Sequence, residues 1–506
     1  MIHAAHRAIA PAAFIASVAV AMSLVPQRTA APLASGQASA SASERMMIGA
    51  TAMGPACMAE IPGVPMSLCF IPGTPAEEIS KVSQRLQEMW AADLAARESA
   101  AGGDGGAAYQ LGNRWIINGS SQNGAPVTLR WSIPADGLSI PNDLSGGAAS
   151  PSNLLATFTT KFGSAEAGKN LIRQGFTAWS NLSGITYTEV TDDNAAFGSA
   201  GGTTRGDIRI VDRTFPATGV LAYCYFPNNG DMVFVTSNSN SWSAANNNRY
   251  FRNVFMHELG HGFGVSHTCP VNQTQLMEPF ASAAFDGPQT DDIRGAQRYY
   301  GDRFELLNDL ATTAPAPFNA SGTTAVTNVS IDDNLDVDWY KFDATIGSKV
   351  SVTVSPTGPT SYLTGPQNGD GSCSAGTSVT PRVIHNLGFG IYRGANGGTL
   401  LIASDSAAAG SSESIQNFVI PATDTYRIKV SPSTTTDDIQ VYSVAFTINP
   451  APALPGDFDG DGQVGGNDLG ILLASWGPVT CGSPYDLNND CVVNGGDMGV
   501  LLSNWG

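Results

Sequence analysis

One eleven-residue stretch constrains this chain more than any other: His257-Glu258-Leu259-Gly260-His261-Gly262-Phe263-Gly264-Val265-Ser266-His267. Residues four apart on a helix project from the same face, one turn apart. His257 and His261 can therefore reach a single ion. Gly264 permits the left-handed turn that ends such a helix, and the reversal that follows lets His267 supply a third nitrogen. Three neutral imidazoles suit one Zn²⁺ and leave its fourth position to water. Glu258, beside the first of them, is placed to act on that water as general base. The chain has six histidines, and His3 and His6 lie in an N-terminal leader. Three of the other four fall in this stretch, which the burial stripe of a core helix does not explain.

Length, charge and cysteine usage bound the rest. A chain of 506 residues holds about three domains. Its net charge of −18 excludes classes that need a basic surface, so neither nucleic acid nor an anionic membrane is an expected partner. Residues 1–34 read as a secretory signal: His3, His6 and Arg7 precede an apolar run from Ala8 to Val25, and Ala30, Ala31 and Ala34 offer cleavage positions. No other stretch is long enough to span a bilayer, so the expected location is secreted, extracellular or at the cell surface. Seven cysteines in an exported chain suggest disulfides with one thiol left over. Cys57 with Cys69, Cys481 with Cys491, and Cys224 with Cys269 are candidate pairs, and Cys373 has no obvious partner.

Along the chain, residues 35–110 read as a pro-segment or linker. A helix is expected from Pro75 to about Ser99, with Ile79, Val82, Leu86, Trp90 and Leu94 on one face and a Thr74/Glu77 capping box. Covering the cleft and acting as a mere spacer are both open roles for it. Residues 111–305 form the catalytic unit. Its expected strands are Val127–Ile133, Ile185–Val190, Asp207–Val211 and Asp231–Thr236, and its expected helices Asn170–Ser180 and Asn247–Gly262. Residues 306–450 carry alternating runs (Val350–Val354, Gly388–Arg393, Tyr426–Val430, Tyr442–Ile448) that suggest an antiparallel β-sandwich. Residues 455–506 hold an internal repeat. Asp457, Asp459, Asp461, Gln463 and Asp468 recur 29 residues later as Asp486, Asn488, Asp490, Val492 and Asp497, each set followed by an apolar run. Oxygen side chains at loop positions 1, 3, 5 and 12, with a backbone carbonyl at 7 (Gln463, Val492), are what a Ca²⁺ ion needs.

The histidine stretch, with Leu276-Met277-Glu278-Pro279 after it, resembles the metzincin signature. The likeness extends to the matrixin branch through Val127–Ser132, Gly206–Ile210, Val220–Pro227 and Thr290–Ile293 with Gln297, Tyr300 and Gly301. The resemblance implies an α+β catalytic domain, with a twisted mixed sheet and an active-site helix, and Met277 beneath the zinc ligands. It also implies a protein or peptide substrate paired antiparallel with the edge segment Val220, Leu221, Ala222 and Tyr223, with residues 268–280 walling the side-chain pocket. Two departures qualify it. Tyr223 and Val233 stand where the family places histidines for a structural zinc, so one zinc is expected. Pro62 precedes Gly63-Val64-Pro65 where the family has its inhibitory cysteine, so thiol-based latency is not implied.

Asp336-Val337-Asp338-Trp339-Tyr340-Lys341-Phe342 with Gly347 resembles the bacterial pre-peptidase C-terminal domain, an accessory module. The tail resembles a type I dockerin, a small α-helical calcium-loop module. Cys491 replaces the turn glycine of its second loop. Gly466-Asn467 and Gly495-Gly496 replace a common Ser-Thr pair. A cohesin-like docking partner and packing against the sandwich are both open.

The expected function is that of a secreted zinc endopeptidase with Glu258 as base. The expectation from another class is a carrier or adhesion protein with a catalytically silent domain, displayed through its sandwich and calcium tail. Chelator-sensitive casein digestion separates the two.

Overall fold

The computed structural model describes residues 64, 66–71, 74–97, 111–116, 123–144, 147–215, 219–269, 274–279, 281–364 and 376–506. The leader, Cys57 and Cys373 lie outside these residues.

The catalytic unit is a six-stranded sheet with helices on both faces. Its elements are β1 (Met66–Phe70), α1 (Ala76–Arg97), β2 (Val127–Ser132), α2 (Leu154–Phe162), α3 (Ala165–Ser180), β3 (Ile185–Glu189), β4 (Ile208–Arg213), β5 (Val220–Tyr225), β6 (Met232–Val235), α4 (Ala245–Phe263) and α5 (Thr290–Tyr300). The strand order is β1-β5-β6-β4-β2-β3. Strands β3, β2, β4 and β6 run parallel; β5 is reversed, and β1, pairing antiparallel with β5 at the edge, runs in the same direction as the other four. The central strands β4, β5 and β6 are buried at every residue, which is how strands covered on both faces read.

The inner face carries α2, α3 and α4. Helix α3 begins where the Ser164 side chain accepts from the Ala167 amide, five residues before the expected start. Its buried stripe is Leu171, Ile172, Phe176 and Trp179. Phe176 stacks on Trp131 at 4.7 Å and meets Phe255 edge-on at 5.1 Å. A side chain at Gly175 would lie 2.4 Å from the Phe255 ring, so this glycine lets α3 and α4 cross closely. Trp179 is fully buried, and its indole N–H donates to the Met256 carbonyl at 3.0 Å. Truncating such a residue to Ala costs about 3–5 kcal/mol.

The outer face is sealed by the stretch read as pro-segment or linker. Met66, Leu68 and Phe70 of β1, with Ile79 and Leu86 of α1, form one apolar cluster with Val211, Tyr223, Val233 and Val235. Tyr223 and Val233, the two residues at the family's histidine positions, are thus core contacts beneath this cover.

The sandwich comprises β7 (Gly322–Ile331), β8 (Asp338–Ala344), β9 (Lys349–Pro356), β10 (Leu387–Arg393), β11 (Thr399–Ser404), β12 (Glu413–Val419), β13 (Asp424–Pro432) and β14 (Gln440–Asn449). They form two antiparallel four-stranded sheets, β8-β13-β10-β11 and β12-β9-β14-β7. Tyr340, Phe342, Tyr426 and Phe446 pack between them. Arg298 of α5 ties the catalytic unit to this module, donating to the Asp332 carbonyl at 2.7 Å and to the Asp437 carboxylate at 2.8 Å.

The tail has two short helices, α6 (Gly466–Ala474) and α7 (Gly495–Ser503). Their inner residues Leu472 and Leu501 pack with Val464 and Val493. Among the described residues no helix is long and apolar enough to cross a membrane.

Candidate metal centre

Helix α4 presents His257 and His261 one turn apart and stops at Gly264, whose φ is +111°. The Gly264 amide donates to the Gly260 and His261 carbonyls, and the Val265 amide also reaches Gly260. This cap turns the chain back so that His267 arrives opposite the other two rings. The three Nε2 atoms lie 3.1 Å apart in every pairing. Tetrahedral Zn–N bonds of 2.0–2.1 Å require about 3.3 Å between ligand nitrogens, so one point can serve all three.

The tautomers follow from what holds the far side of each ring. His257 Nδ1 donates to the Leu276 carbonyl at 2.7 Å, and His261 Nδ1 donates to the Val265 carbonyl at 2.8 Å. A carbonyl oxygen only accepts, so both rings carry their proton on Nδ1 and a lone pair on Nε2. Burial holds His257 neutral down to about pH 4. Burial, with the neighbouring rings, lowers His261 further below the usual range. Lone pairs converging at 3.1 Å repel one another unless a cation sits between them, and this chemistry fits a metal.

Glu258 projects from the same turn. It is fully buried, and neither carboxylate oxygen has a hydrogen-bond partner. Burial raises its pKa well above the ordinary value. An orphaned buried carboxyl group is costly.

Met277 is fully buried against α4, and a side chain at Gly260 would lie 2.3 Å from its sulfur. The positioning of this floor involves a residue that the sequence reading gave no role. Asp292, at the start of α5, accepts from the Leu276 amide at 2.6 Å, the Met277 amide at 2.8 Å and the Gln289 amide at 2.7 Å. It thereby fixes the turn whose carbonyl orients His257. The available signal was an acid in the first turn of the closing helix.

The edge segment is occupied. Val220, Leu221, Ala222 and Tyr223 are fully buried in β5, and β1 pairs with them where an extended substrate was expected. One cysteine pairing is corrected. Cys224 is a free, buried thiol pointing at the Gly230 carbonyl, 3.4 Å away, whereas Cys269 is in a disulfide. Cys69 is also disulfide-bonded. Cys481 and Cys491 are joined, as their spacing suggested.

The tail holds two further groupings. Carboxylate oxygens of Asp457, Asp459 and Asp468 lie within 4.8 Å of one another, as do those of Asp486, Asp490 and Asp497. Asp461 instead accepts from the Gln463 amide, and Asn488 donates to Asp490. The Val492 carbonyl accepts from Asn494. Cys491 adopts φ +67°, matching Gly462 at +87° one repeat earlier. Its disulfide to Cys481, with Cα atoms 4.5 Å apart, holds a conformation that otherwise costs about 1–2 kcal/mol. The first loop packs on the sandwich, where the Asp461 carbonyl accepts from Thr423 and Gly462 abuts Ile346. A third acidic grouping, Glu305, Asp309 and Asp336, lies at the start of the sandwich.

Comparison with known proteins locates the family signal. Residues 155–301 match the matrixin family. The chain is 29% identical over 161 residues to the hatching enzyme of Paracentrotus lividus, covering 29% of this chain and 25% of that protein. It is 30% identical over 147 residues to the interstitial collagenase of Equus caballus (28% and 30% covered). It is 32% identical over 162 residues to matrix metalloproteinase-16 of Rattus norvegicus (28% and 25% covered). The chain thus spans about a quarter to a third of the length of the curated relatives it matches. Among solved structures, it is similar to the pre-peptidase C-terminal domain of a Bacillus anthracis collagenase, at 8% identity and a TM-score of 0.17, covering 27% of this chain and 94% of that one. With the histidine triad at its centre, the stretch from residue 155 to 301 is a matrixin domain, and that supports a metalloprotease.

Proposed function

We propose that the chain is a secreted zinc-dependent endopeptidase that hydrolyses peptide bonds in proteins, with Glu258 as its general base. The observation that carries this reading is the convergence of three Nε2 lone pairs beside a buried carboxyl group without partners. His257, His261 and His267 would hold the ion. When bound, zinc polarises a carbonyl and brings the pKa of a coordinated water to about 7. Glu258 takes a proton from the attacking water and delivers it to the leaving nitrogen. Its apolar surroundings, which raise its pKa, favour the first of these transfers, onto the carboxylate. Asp292 and the Leu276 and Val265 carbonyls hold the rings in the ligating tautomer. An extended substrate pairs antiparallel with β5, taking affinity from backbone hydrogen bonds and selectivity from side-chain seats.

In the same reading the tail binds Ca²⁺ in both loops. Asp457, Asp459 and Asp468 contribute to the first, and Asp486, Asp490 and Asp497 to the second. The sandwich is an accessory module.

The test is Glu258→Ala. We expect zinc content by elemental analysis to stay at one ion per chain while kcat/KM on casein falls by about 10²–10⁴-fold, the usual contribution of a general base. Retention of full activity would overturn the assignment of the base.

A further inference from the structure

Helix α5 is buried along residues 291–300, its charged and polar side chains included. On an open surface a helix turns such a stripe to water. Here the stripe meets the sandwich, and buried charges need partners. Arg294 lies between Asp291 of its own helix, at 3.4 Å, and Asp438 of the sandwich, at 3.7 Å. Arg298 bonds the Asp437 carboxylate and the Asp332 carbonyl. Gln297 donates to the Leu182 carbonyl at 2.6 Å and to the Asn328 carbonyl of β7 at 2.8 Å, so one amide group joins the two modules. The same helix carries Asp292, which fixes the turn whose Leu276 carbonyl orients His257.

The second ring is backed by the same sandwich segment through another route. His261 is oriented by the Val265 carbonyl. Val265 pairs with Leu111 in an antiparallel bridge, and the Gly112 amide donates to the Gly264 carbonyl at 2.8 Å. Leu111 packs both on the catalytic core and on Ile439 and Val441 of the sandwich, which are 0% and 3% exposed. The sandwich fixes this segment from its own side, where buried His385 donates from Nε2 to the Asp438 carbonyl at 2.7 Å. Both carbonyls that set the ligating tautomers are therefore backed by neighbours in residues 437–441.

We propose that residues 437–441 are a brace for the metal centre, through which the sandwich shares in positioning His257 and His261. These residues touch neither the ion nor the reacting atoms. They act through α5 on the Leu276 carbonyl and through Leu111 on the Val265 carbonyl. This rests on the zinc reading, but its test separates the two.

The test uses the full chain and four variants. Ile439→Ala removes the contact with Leu111, and Ile439→Val is its conservative counterpart. Asp438→Ala takes a carboxylate from buried Arg294. Ile448→Ala is the control: it thins the sandwich core at the far end of β14, where Ile448 pairs with Gly322. Melting curves confirm that each variant is folded. Amide hydrogen exchange of the metal-free chain is read over residues 262–269 and 274–279. Zinc affinity is read by competition with a chromogenic chelator, and ligand geometry by the d–d absorption of the Co²⁺-substituted protein. Ile439→Ala should exchange at least about tenfold faster over residues 262–269. Asp438→Ala should exchange at least about fivefold faster over residues 274–279. Both should bind zinc about tenfold more weakly, the lower end of what direct outer-shell substitutions cost, and shift the cobalt band. Ile439→Val should restore most of the loss, and Ile448→Ala should match the wild type in both stretches, in affinity and in spectrum. Equal exchange, affinity and spectrum in all folded variants would overturn the brace and leave the zinc reading intact. Faster exchange in Ile439→Ala and Asp438→Ala, with no zinc or cobalt taken up by any chain, would support the brace and sink the zinc reading.

Discussion

The histidine triad and the two acidic loops of the tail gather their polar groups in opposite ways. The triad is buried to 1% exposure or less, two of its rings are locked from behind by backbone carbonyls, and its three Nε2 atoms already meet. The loops are mixed, with Asp459 and Asp490 exposed and Asp468, Asp486 and Asp497 buried, and their carboxylates occupy themselves with nearby amides. Asp457 accepts from Gly460 and Gly462, and Asp486 from Asp490 and Cys491. A soft, directional site is built by packing. The acidic groupings are built by local turns whose carboxylates accept from amides close by in sequence. The first therefore depends on the whole catalytic unit, and the second on a few neighbours in sequence.

The largest expected effect breaks the first site. His261→Ala removes one of three ligands, roughly a third of the ~10–16 kcal/mol that a zinc site can supply. Zinc affinity should fall on the order of 10³-fold, read by competition with a chromogenic chelator, and casein hydrolysis should fall with it.

Acid should separate the two regions next. His257 has its pKa lowered by burial to about 4, against about 6.5 in an unfolded chain. Its contribution to stability is complete above pH 6.5 and is lost as pH falls from there towards 4. Asp468 and Asp497 are lowered below the ordinary carboxyl value: burial opposes ionisation, but backbone amides, among them Gly465 and Asn494, outweigh it. Their contribution is present above about pH 4 and lost only below it. Titrating from pH 7 downward, zinc release should precede loss of the tail's fold, followed by the fluorescence of the half-exposed Trp476 and Trp505. The reverse order would break the contrast.

The smallest effect on activity is expected from Asp468→Ala. It removes a carboxylate that serves both the first loop and the N-terminal cap of α6. The tail should lose about 1 kcal/mol or more from the cap alone and bind calcium more weakly. Casein hydrolysis should change less than about twofold, because effects at distant sites without shared partners add independently.

How far the sequence foretold this depends on the range of the interactions. The triad was legible because helix periodicity and one glycine determine where three side chains go, and Gly264 takes the left-handed conformation that this reading needs. The sandwich strands were legible from their alternation. Strand β1 was not: its five residues, Met-Ser-Leu-Cys-Phe, acquire meaning only by pairing with residues 220–225, far along the chain. Asp292 was equally hidden, since its acceptors' partners, Leu276 and Met277, come from a different loop. The run Asn246–Asn248, all at positive φ before α4 straightens, carried no signal beyond asparagine's tolerance for that region.

Helix α1 has a bearing on how such a chain can be trimmed. Ile79 and Leu86 shield a patch that includes Val211, Tyr223, Val233 and Val235. A processing cut beyond Arg97 would bare that patch to water and invite self-association. A cut ahead of Ala76 would remove Met66, Leu68 and Phe70 but leave Ile79 and Leu86 over the patch, so the position of any cut decides how much apolar surface is exposed.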